Sequence, residues 1–104
     1  MINKNKVIPL ELLAPARDLE TGRLALANGA DAVYIGASRF GARQAAGNSW
    51  KDIQALAKQA HFFGARVYVV LNTIFFNEEA PALQDALDQA GNSGVDALIL
   101  QDPG

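Results

Sequence analysis

The sequence predicts an α/β fold in which four parallel strands alternate with three helices. A pattern of glycine, small apolar residue, charged residue and apolar run begins at Gly29 and is repeated at Gly64 and Gly94. These glycines recur at intervals of about 30 to 35 residues, which fits a strand with a returning helix better than a hairpin. Half of the 104 residues are hydrophobic, enough for one core and too few residues for two.

Strand one and helix one are expected in the first 30 residues. The strand is predicted at 10–14, where Pro15 ends a short apolar run because proline has no N–H for a β-ladder. The helix is predicted to begin after Asp18, whose carboxylate can cap the first turn, and to end at Gly29. Gly22 weakens this helix by about 1 kcal/mol relative to alanine, so packing must hold it.

Strand two and helix two follow. The strand is predicted at 31–35, and because it is apolar on both faces it indicates a sheet that is covered by helices. Ser49 and Asp52 match a capping box, which predicts the start of helix two. Apolar residues continue this helix at helical spacing: Ile53, Leu56, Ala57, Ala60 and Phe63.

The last third of the chain continues the alternation. Strand three is predicted at 66–71, which is rich in β-branched and aromatic residues, and strand four at 96–100. Helix three lies between them and begins either after a cap at Asn77 or at Pro81. Because the repeat lacks a GxGxxG turn, the βαβαβαβ order favours half of a TIM (β/α)8 barrel over a small doubly wound sheet.

Composition excludes several classes of protein. The chain has no cysteine, which excludes disulfides, thiolate zinc sites and cysteine-ligated iron–sulfur clusters within these residues. No apolar run approaches the roughly 18 residues of a membrane span, and no signal segment follows Lys4 and Lys6, so we expect a cytoplasmic protein. A net charge of −2 argues against a non-specific nucleic-acid surface. Residues 1–8 are expected to fray, with 9–104 as one segment.

Polar side chains that follow the strands form the candidate site. In parallel α/β sheets, functional groups gather beyond the carboxyl ends of the strands. The candidates for binding substrate or an anion are Arg39, Arg43, Asn72, Gln101 and Asp102. The two arginines either hold a carboxylate or phosphate near helix two or are solvated loop charges. Asn72 either contacts substrate or serves a turn, and Asp102 is a residue type common in turns.

The opposite ends of the strands carry charges that are explained by stability. Glu11, Asp31, Arg66 and Asp96 occupy equivalent positions, which predicts a row of ion pairs with Arg66 between acidic neighbours. Glu11 alternatively points into the barrel. His61, near the end of helix two, has a favourable interaction with the helix dipole as its expected role. The sequence contains no arrangement typical of a nucleophilic triad or a metal cage, so no metal site is expected.

Six motifs occur in order along the chain: 11–16, 29–36, 40–43, 48–50, 67–72 and 94–104. Together they resemble the N-terminal region of peptidase family U32, the collagenase-like proteases. The resemblance covers nearly all of the chain after residue 8. It departs from the family at Arg17 and Asp18, where members usually have glycine followed by asparagine, and Glu11, Arg43, Asn72 and Asp102 match positions in the shared motifs.

The resemblance implies the N-terminal fragment of a U32-type peptidase that is inactive alone. Other members are similar in sequence but act in oxygen-independent hydroxylation of tRNA, ribosomal RNA or the ubiquinone ring, so a hydroxylase fragment is the alternative. Those proteins use cysteines that bind an iron–sulfur cluster, and such a cluster is expected only in a longer parent protein. A third alternative is a stand-alone, non-enzymatic binding or assembly module.

Strands one and four would be exposed edges of the four-stranded sheet, which predicts association. The expected partner is the missing C-terminal half of the barrel or a second copy of the chain, giving a homo-oligomer. A peptide or RNA substrate is expected for the full protein, and no membrane partner is expected.

Overall fold

A single parallel sheet organises the chain. The computed structural model describes residues 11–37, 48–72 and 80–101. The strands pair in the order β1-β2-β3-β4, all parallel, which confirms the predicted α/β fold and is consistent with part of a barrel. The elements, in chain order, are β1 (Leu13–Ala16), α1 (Leu19–Ala27), β2 (Ala32–Gly36), α2 (Trp50–Phe62), β3 (Arg66–Asn72), α3 (Ala80–Ser93) and β4 (Ala97–Gln101).

The three helices pack on one face of the sheet. α1 contacts α2, α2 contacts α3, and the side chains of the two central strands that are directed toward them are almost completely buried. These buried side chains include Val33, Ile35, Val67, Val69 and Leu71. The sequence predicted a sheet that is covered by helices, and among the described residues the helices cover one face of the sheet only. Right-handed crossovers between successive neighbouring strands place every helix on the same side.

Most side chains on the other face of the sheet are half-buried or exposed, although Ala32 at the start of β2 is completely buried. The half-buried or exposed side chains include Pro15, Tyr34, Tyr68, Val70 and Ile99. In a complete (β/α)8 barrel the corresponding face is the interior, and the apolar residues on this face are consistent with such an arrangement. We call it the open face below.

Strand β1 differs from the prediction of a strand at 10–14 that ends before Pro15. Pro15 lies inside β1, opposite Tyr34 of β2. The prediction was wrong because it treated the missing proline N–H as a loss to the ladder. In the described sheet β1 is an edge strand with one neighbour, and a proline is tolerated there.

Glycines with a left-handed backbone connect each helix to the following strand. Gly29, Gly64 and Gly94 have φ angles of 95°, 77° and 86°, a region that side chains disfavour. These are the glycines of the repeated sequence pattern, and each follows the end of a helix as a C′ residue does. The repeat therefore marks the helix ends, as predicted.

The helix starts follow the predicted caps. The Thr21 N–H donates to Asp18 Oδ1 at 2.9 Å and the Asp18 N–H donates to the Thr21 hydroxyl at 3.0 Å, which completes a capping box for α1. The Ser49 hydroxyl accepts from the Asp52 N–H at 3.2 Å. Helix α3 begins one residue before Pro81, so Pro81 lies in the first turn of the helix, where a missing N–H costs little. The alternative cap at Asn77 lies outside the described residues.

Gly22 shows what holds helix α1 against its neighbours. A Cβ built at Gly22 would lie 2.8 Å from both methyl carbons of Leu56 and 3.3 Å from the Cβ of Ala16. Leu56 is completely buried beneath α1. Glycine therefore allows α1 to approach α2 and β1 closely, which is the packing that its low helix propensity requires.

Acidic side chains at the amino ends of the strands bind backbone N–H groups of the neighbouring strand. Asp31 Oδ2 accepts from the Leu12 N–H at 2.8 Å, and Asp96 Oδ2 accepts from the Val67 N–H at 2.8 Å. Asp96 Oδ2 also lies 2.9 Å from Nε2 of His61. The predicted row of charges is present in part: Glu11 and Asp96 interact electrostatically with Arg66, but the carboxylates of Asp31 and Asp96 bind backbone N–H groups, and Asp96 also contacts His61.

The pKa values at this end reflect these contacts. Partial burial alone would raise the pKa of Asp96, but the hydrogen bonds from His61 and the Val67 N–H, with the charges of His61 and Arg66, lower it overall. A hydrogen bond with Tyr68 does most to raise the pKa of Arg66, and Glu11 and Asp96 add to this effect.

Within the described ranges, no helix is long and apolar enough to cross a membrane.

Candidate functional site

A depression lies at the carboxyl ends of the strands. Its volume is about 530 Å³, within the range of small-molecule and cofactor sites. All four strands and the start of α1 contribute to it, at the end of the sheet where parallel α/β proteins gather functional groups. Its walls are formed by Pro15, Ala16, Arg17, Thr21, Tyr34, Gly36, Val70 and Gln101.

The inner surface of the depression comes from the open face. Pro15 pairs with Tyr34, and Gly36 pairs with Val70. Because alternate residues of a strand share a face, these four positions lie together on the side away from the helices. The inner surface therefore combines apolar groups with one half-buried phenol ring, a composition suited to a flat organic ring.

Arg17 provides a cation at the rim. Its side chain is 84% exposed, and Nε lies 3.8 Å from Oδ2 of Asp18. The N–H and hydroxyl of Thr21 donate to Asp18 and, with a smaller contribution from Arg17, hold the pKa of that carboxyl below its usual value against the opposing effect of burial. Asp18 is thereby committed to the cap of α1, while the guanidinium of Arg17 is accessible to an anionic group.

Asn48 fixes the ends of β1 and β2 relative to α2. Its side-chain Nδ2 donates to the Arg17 carbonyl at 3.1 Å and to the Gly36 carbonyl at 2.9 Å, and its N–H donates to the same Gly36 carbonyl at 3.1 Å. Asn48 and Ala37 also form a short parallel bridge. One amide thus holds two segments of the depression in register, which rigid placement of a site requires.

The predicted site residues fall into three groups. Gln101 lines the depression, and its backbone pairs with that of Asn72 at the carboxyl end of the sheet. Arg39, Arg43 and Asp102 lie outside the described residues. Glu11 is exposed at the opposite end of the sheet, where its charge contributes to the raised pKa of Arg66, so it is separated from the depression.

Sequence reasoning gave no role to Tyr34, Thr21 or Asn48. Tyr34 could not be recognised as a site residue because strand two is apolar on both faces, so the periodicity of the sequence does not show which side chains face a cavity. The signal for Asn48 was an amide directly before the helix cap Ser49, a position from which it can donate to nearby carbonyls.

The residues do not fit a cysteine-ligated cluster, since the chain has no cysteine. Across 11–37, 48–72 and 80–101, no group of three or more His, Cys, Asp or Glu side chains is arranged to hold a metal ion. The site as described can bind and orient a ligand through aromatic, amide and guanidinium groups.

Comparison with known proteins identifies related sequences. The family model of peptidase family U32 matches residues 17–104. The chain is 52% identical over 95 residues to the 23S rRNA 5-hydroxycytidine C2501 synthase of Escherichia coli, which covers 91% of this chain and 14% of that protein. It is 38% identical over 108 residues to tRNA hydroxylation protein P1 of Bacillus subtilis, covering 99% of this chain and 25% of that protein.

A third relative carries a different description. An uncharacterized protease of Methanocaldococcus jannaschii is 35% identical over 100 residues, covering 94% of this chain and 24% of that protein. The chain therefore spans a quarter or less of the length of these three relatives. No solved structure matches the chain.

Proposed function

The chain belongs to peptidase family U32, and on that premise we propose that it is part of a protein that hydroxylates a base of RNA. The observation that carries the proposal is its 52% identity to a ribosomal RNA 5-hydroxycytidine synthase across nine-tenths of the chain. The relative described as a protease is 35% identical. The comparisons thus favour the hydroxylase alternative over the peptidase that the family name implies.

The depression supports this proposal through its chemistry. Proteins recognise unpaired RNA bases by stacking them on aromatic side chains and by contacting their edges, and enzymes that modify a base hold it outside the helical stack. Tyr34 offers an aromatic surface beside Val70 and Pro15, and Gln101 belongs to the same wall. Arg17 at the rim is placed to contact a phosphate next to the bound base.

The negative net charge is compatible with such a substrate. The carboxylates of Asp31 and Asp96 are engaged at the amino ends of the strands, at the opposite end of the sheet from the depression. Recognition through a shaped pocket and one local cation does not require an overall basic surface, which sequence-independent binding would need. An RNA substrate also agrees with the cytoplasmic location expected from the sequence.

We assign binding and orientation to these residues and leave the oxidation itself to groups elsewhere in the protein. Tyr34 and Val70 would contact the base, Arg17 the phosphate, and Asn48 would hold the Arg17 and Gly36 backbone in place. The three relatives are at least about four times as long as this chain, so the oxidation can be carried out by groups outside the segment.

Gene deletion and complementation test the proposal. The host strain that lacks the intact gene should lose a hydroxylated nucleoside from ribosomal RNA or tRNA, measured by mass spectrometry of digested RNA, and the intact gene should restore it. Replacing Arg17 by alanine should lower the restored level about tenfold or more, since it removes a charge-assisted contact. Lys58→Ala, which removes an exposed charge on α2, is the matched control.

Two results would overturn the proposal. One is an unchanged set of RNA nucleosides in the deletion strain. The other is cleavage of gelatin by the purified intact protein that Arg17→Ala abolishes, since this would assign the depression to a peptidase.

A further inference from the structure

Gly36 lines the depression without a conformational reason to be glycine. It ends β2 on the open face, two residues after Tyr34 and opposite Val70. Its backbone is not in the left-handed region, which only Gly29, Gly64 and Gly94 occupy among the described residues. Any amino acid could therefore adopt its backbone conformation.

Packing within the described residues does not require this glycine either. A Cβ built at Gly36 meets no described heavy atom within 4 Å, apart from its chain neighbours, whereas a Cβ at Gly22 collides with Leu56. Glycine is also unfavourable inside a strand because of its conformational entropy. What Gly36 contributes is space on the wall of the depression.

A ring stacked on Tyr34 would reach position 36. Same-face positions along a strand stand about 6.6 Å apart, twice the rise per residue. A flat ring in van der Waals contact with Tyr34 lies about 3.5 to 4 Å from it, which leaves about 3 Å or less to position 36, too little for a second van der Waals contact. A ring can therefore stack there only where position 36 carries no bulky side chain.

We propose that Gly36 is the size-determining residue of the site and that the space it leaves receives an unpaired base of RNA. The proposal rests on the proposed function and names the part of the RNA that the depression takes. Alanine at this position adds one methyl group and leaves most of the space. Valine and leucine fill it progressively.

The test compares Gly36→Ala, Gly36→Val and Gly36→Leu in the intact protein. The probe is a short RNA hairpin with one cytidine in its loop, and binding is followed by fluorescence anisotropy. Gly36→Leu should bind this RNA about tenfold or more weakly, with Gly36→Val intermediate and Gly36→Ala close to the parent protein. The same hairpin with an abasic loop position should bind the parent protein and the Gly36→Leu variant equally, since only phosphate contacts remain.

Controls separate loss of space from loss of folding. Gly91→Leu, at an exposed glycine of α3 with no described atom within 4 Å of a built Cβ, should leave RNA binding unchanged. The thermal unfolding midpoint of each Gly36 variant should equal or exceed that of the parent protein. If Gly36→Leu lowers the unfolding midpoint, RNA binding by the Gly36→Val variant tests the proposal instead.

Failure of this inference differs from failure of the proposed function. If the parent protein hydroxylates RNA and the Gly36→Leu and Gly36→Val variants bind the cytidine hairpin as well as Gly36→Ala does, Gly36 does not set the size of the site. If the parent protein neither binds the hairpin nor restores hydroxylation in the deletion strain, the proposed function is wrong.

Discussion

Replacing Gly22 by alanine tests whether close contact with Leu56 positions helix α1. Helix propensity alone would make alanine more stable by about 1 kcal/mol. The added Cβ, however, would lie 2.8 Å from both Leu56 methyl carbons, and Leu56 is completely buried and has little room to move. Overpacking of this kind costs about 1 to 3 kcal/mol, so a net loss of about 1 kcal/mol is expected.

The assay is thermal unfolding of the chain, followed by far-UV circular dichroism. A loss of about 1 kcal/mol corresponds to a fall of about 4 to 8 °C in the unfolding midpoint of a domain of this size. The matched control is Gly91→Ala in α3, where the new methyl group meets no described atom and a gain of about 0.4 to 1 kcal/mol is expected. The same substitution in two helices should therefore change stability in opposite directions.

The reasoning would be refuted if Gly22→Ala stabilised the chain as much as Gly91→Ala does. A second comparison isolates the contact itself. Leu56→Val should cost less stability in the Gly22→Ala background than in the parent chain, because it relieves the collision, and the coupling should exceed about 0.5 kcal/mol. Additive effects would mean that the two side chains do not meet.

Substitutions at three further positions test other contacts. Asp96→Asn should lose about 1 kcal/mol at neutral pH after allowance for its exposure, whereas Asp85→Asn should not. Because the folded-state pKa of Asp96 is lowered, its contribution to the free energy of unfolding is present above the unfolded pKa of about 3.9 and is lost as the pH falls through the folded pKa. The free energy of unfolding should therefore fall less on acidification in the Asp96→Asn variant than in the parent chain. Asn48→Asp should destabilise the chain more than Asn48→Ala, because a carboxylate, which cannot donate, would face the two carbonyl oxygens to which the amide now donates. Asn92→Asp, at an exposed asparagine, is the control. Ser49→Ala should cost about 1 kcal/mol by removing the cap of α2, and Ser49→Asp should restore most of it; equal unfolding midpoints for both would contradict the assigned cap.

Local chemistry made most of the fold predictable. Gly29, Gly64 and Gly94 mark helix ends because a left-handed backbone selects glycine, and the caps at Asp18 and Ser49 follow from unpaired N–H groups in a first turn. These signals depend only on residues adjacent in sequence. The alternation of strands and helices, and with it the parallel sheet, follows from them.

Features that depend on distant neighbours could not be predicted. Pro15 was placed outside strand one because its position on a sheet edge is a tertiary property. Asp31 and Asp96 were assigned to ion pairs with Arg66, but their oxygens bind backbone N–H groups of the adjacent strand, which the sequence does not identify. The same limit applies to the site, whose position at the carboxyl ends and whose residue Gln101 follow from topology while the direction of Tyr34 does not.

The two ends of the sheet therefore serve different purposes, and this division explains how one segment can be both rigid and open. At the amino ends, Asp31 and Asp96 satisfy strand N–H groups, and their contacts contribute to stability. At the carboxyl ends, the Asn48 side chain donates to the carbonyls of Arg17 and Gly36 and holds the edge of the depression in place. Substitutions at the amino ends should change unfolding without changing binding of the RNA proposed above as the ligand, and substitutions at Gly36 should weaken that binding without lowering stability.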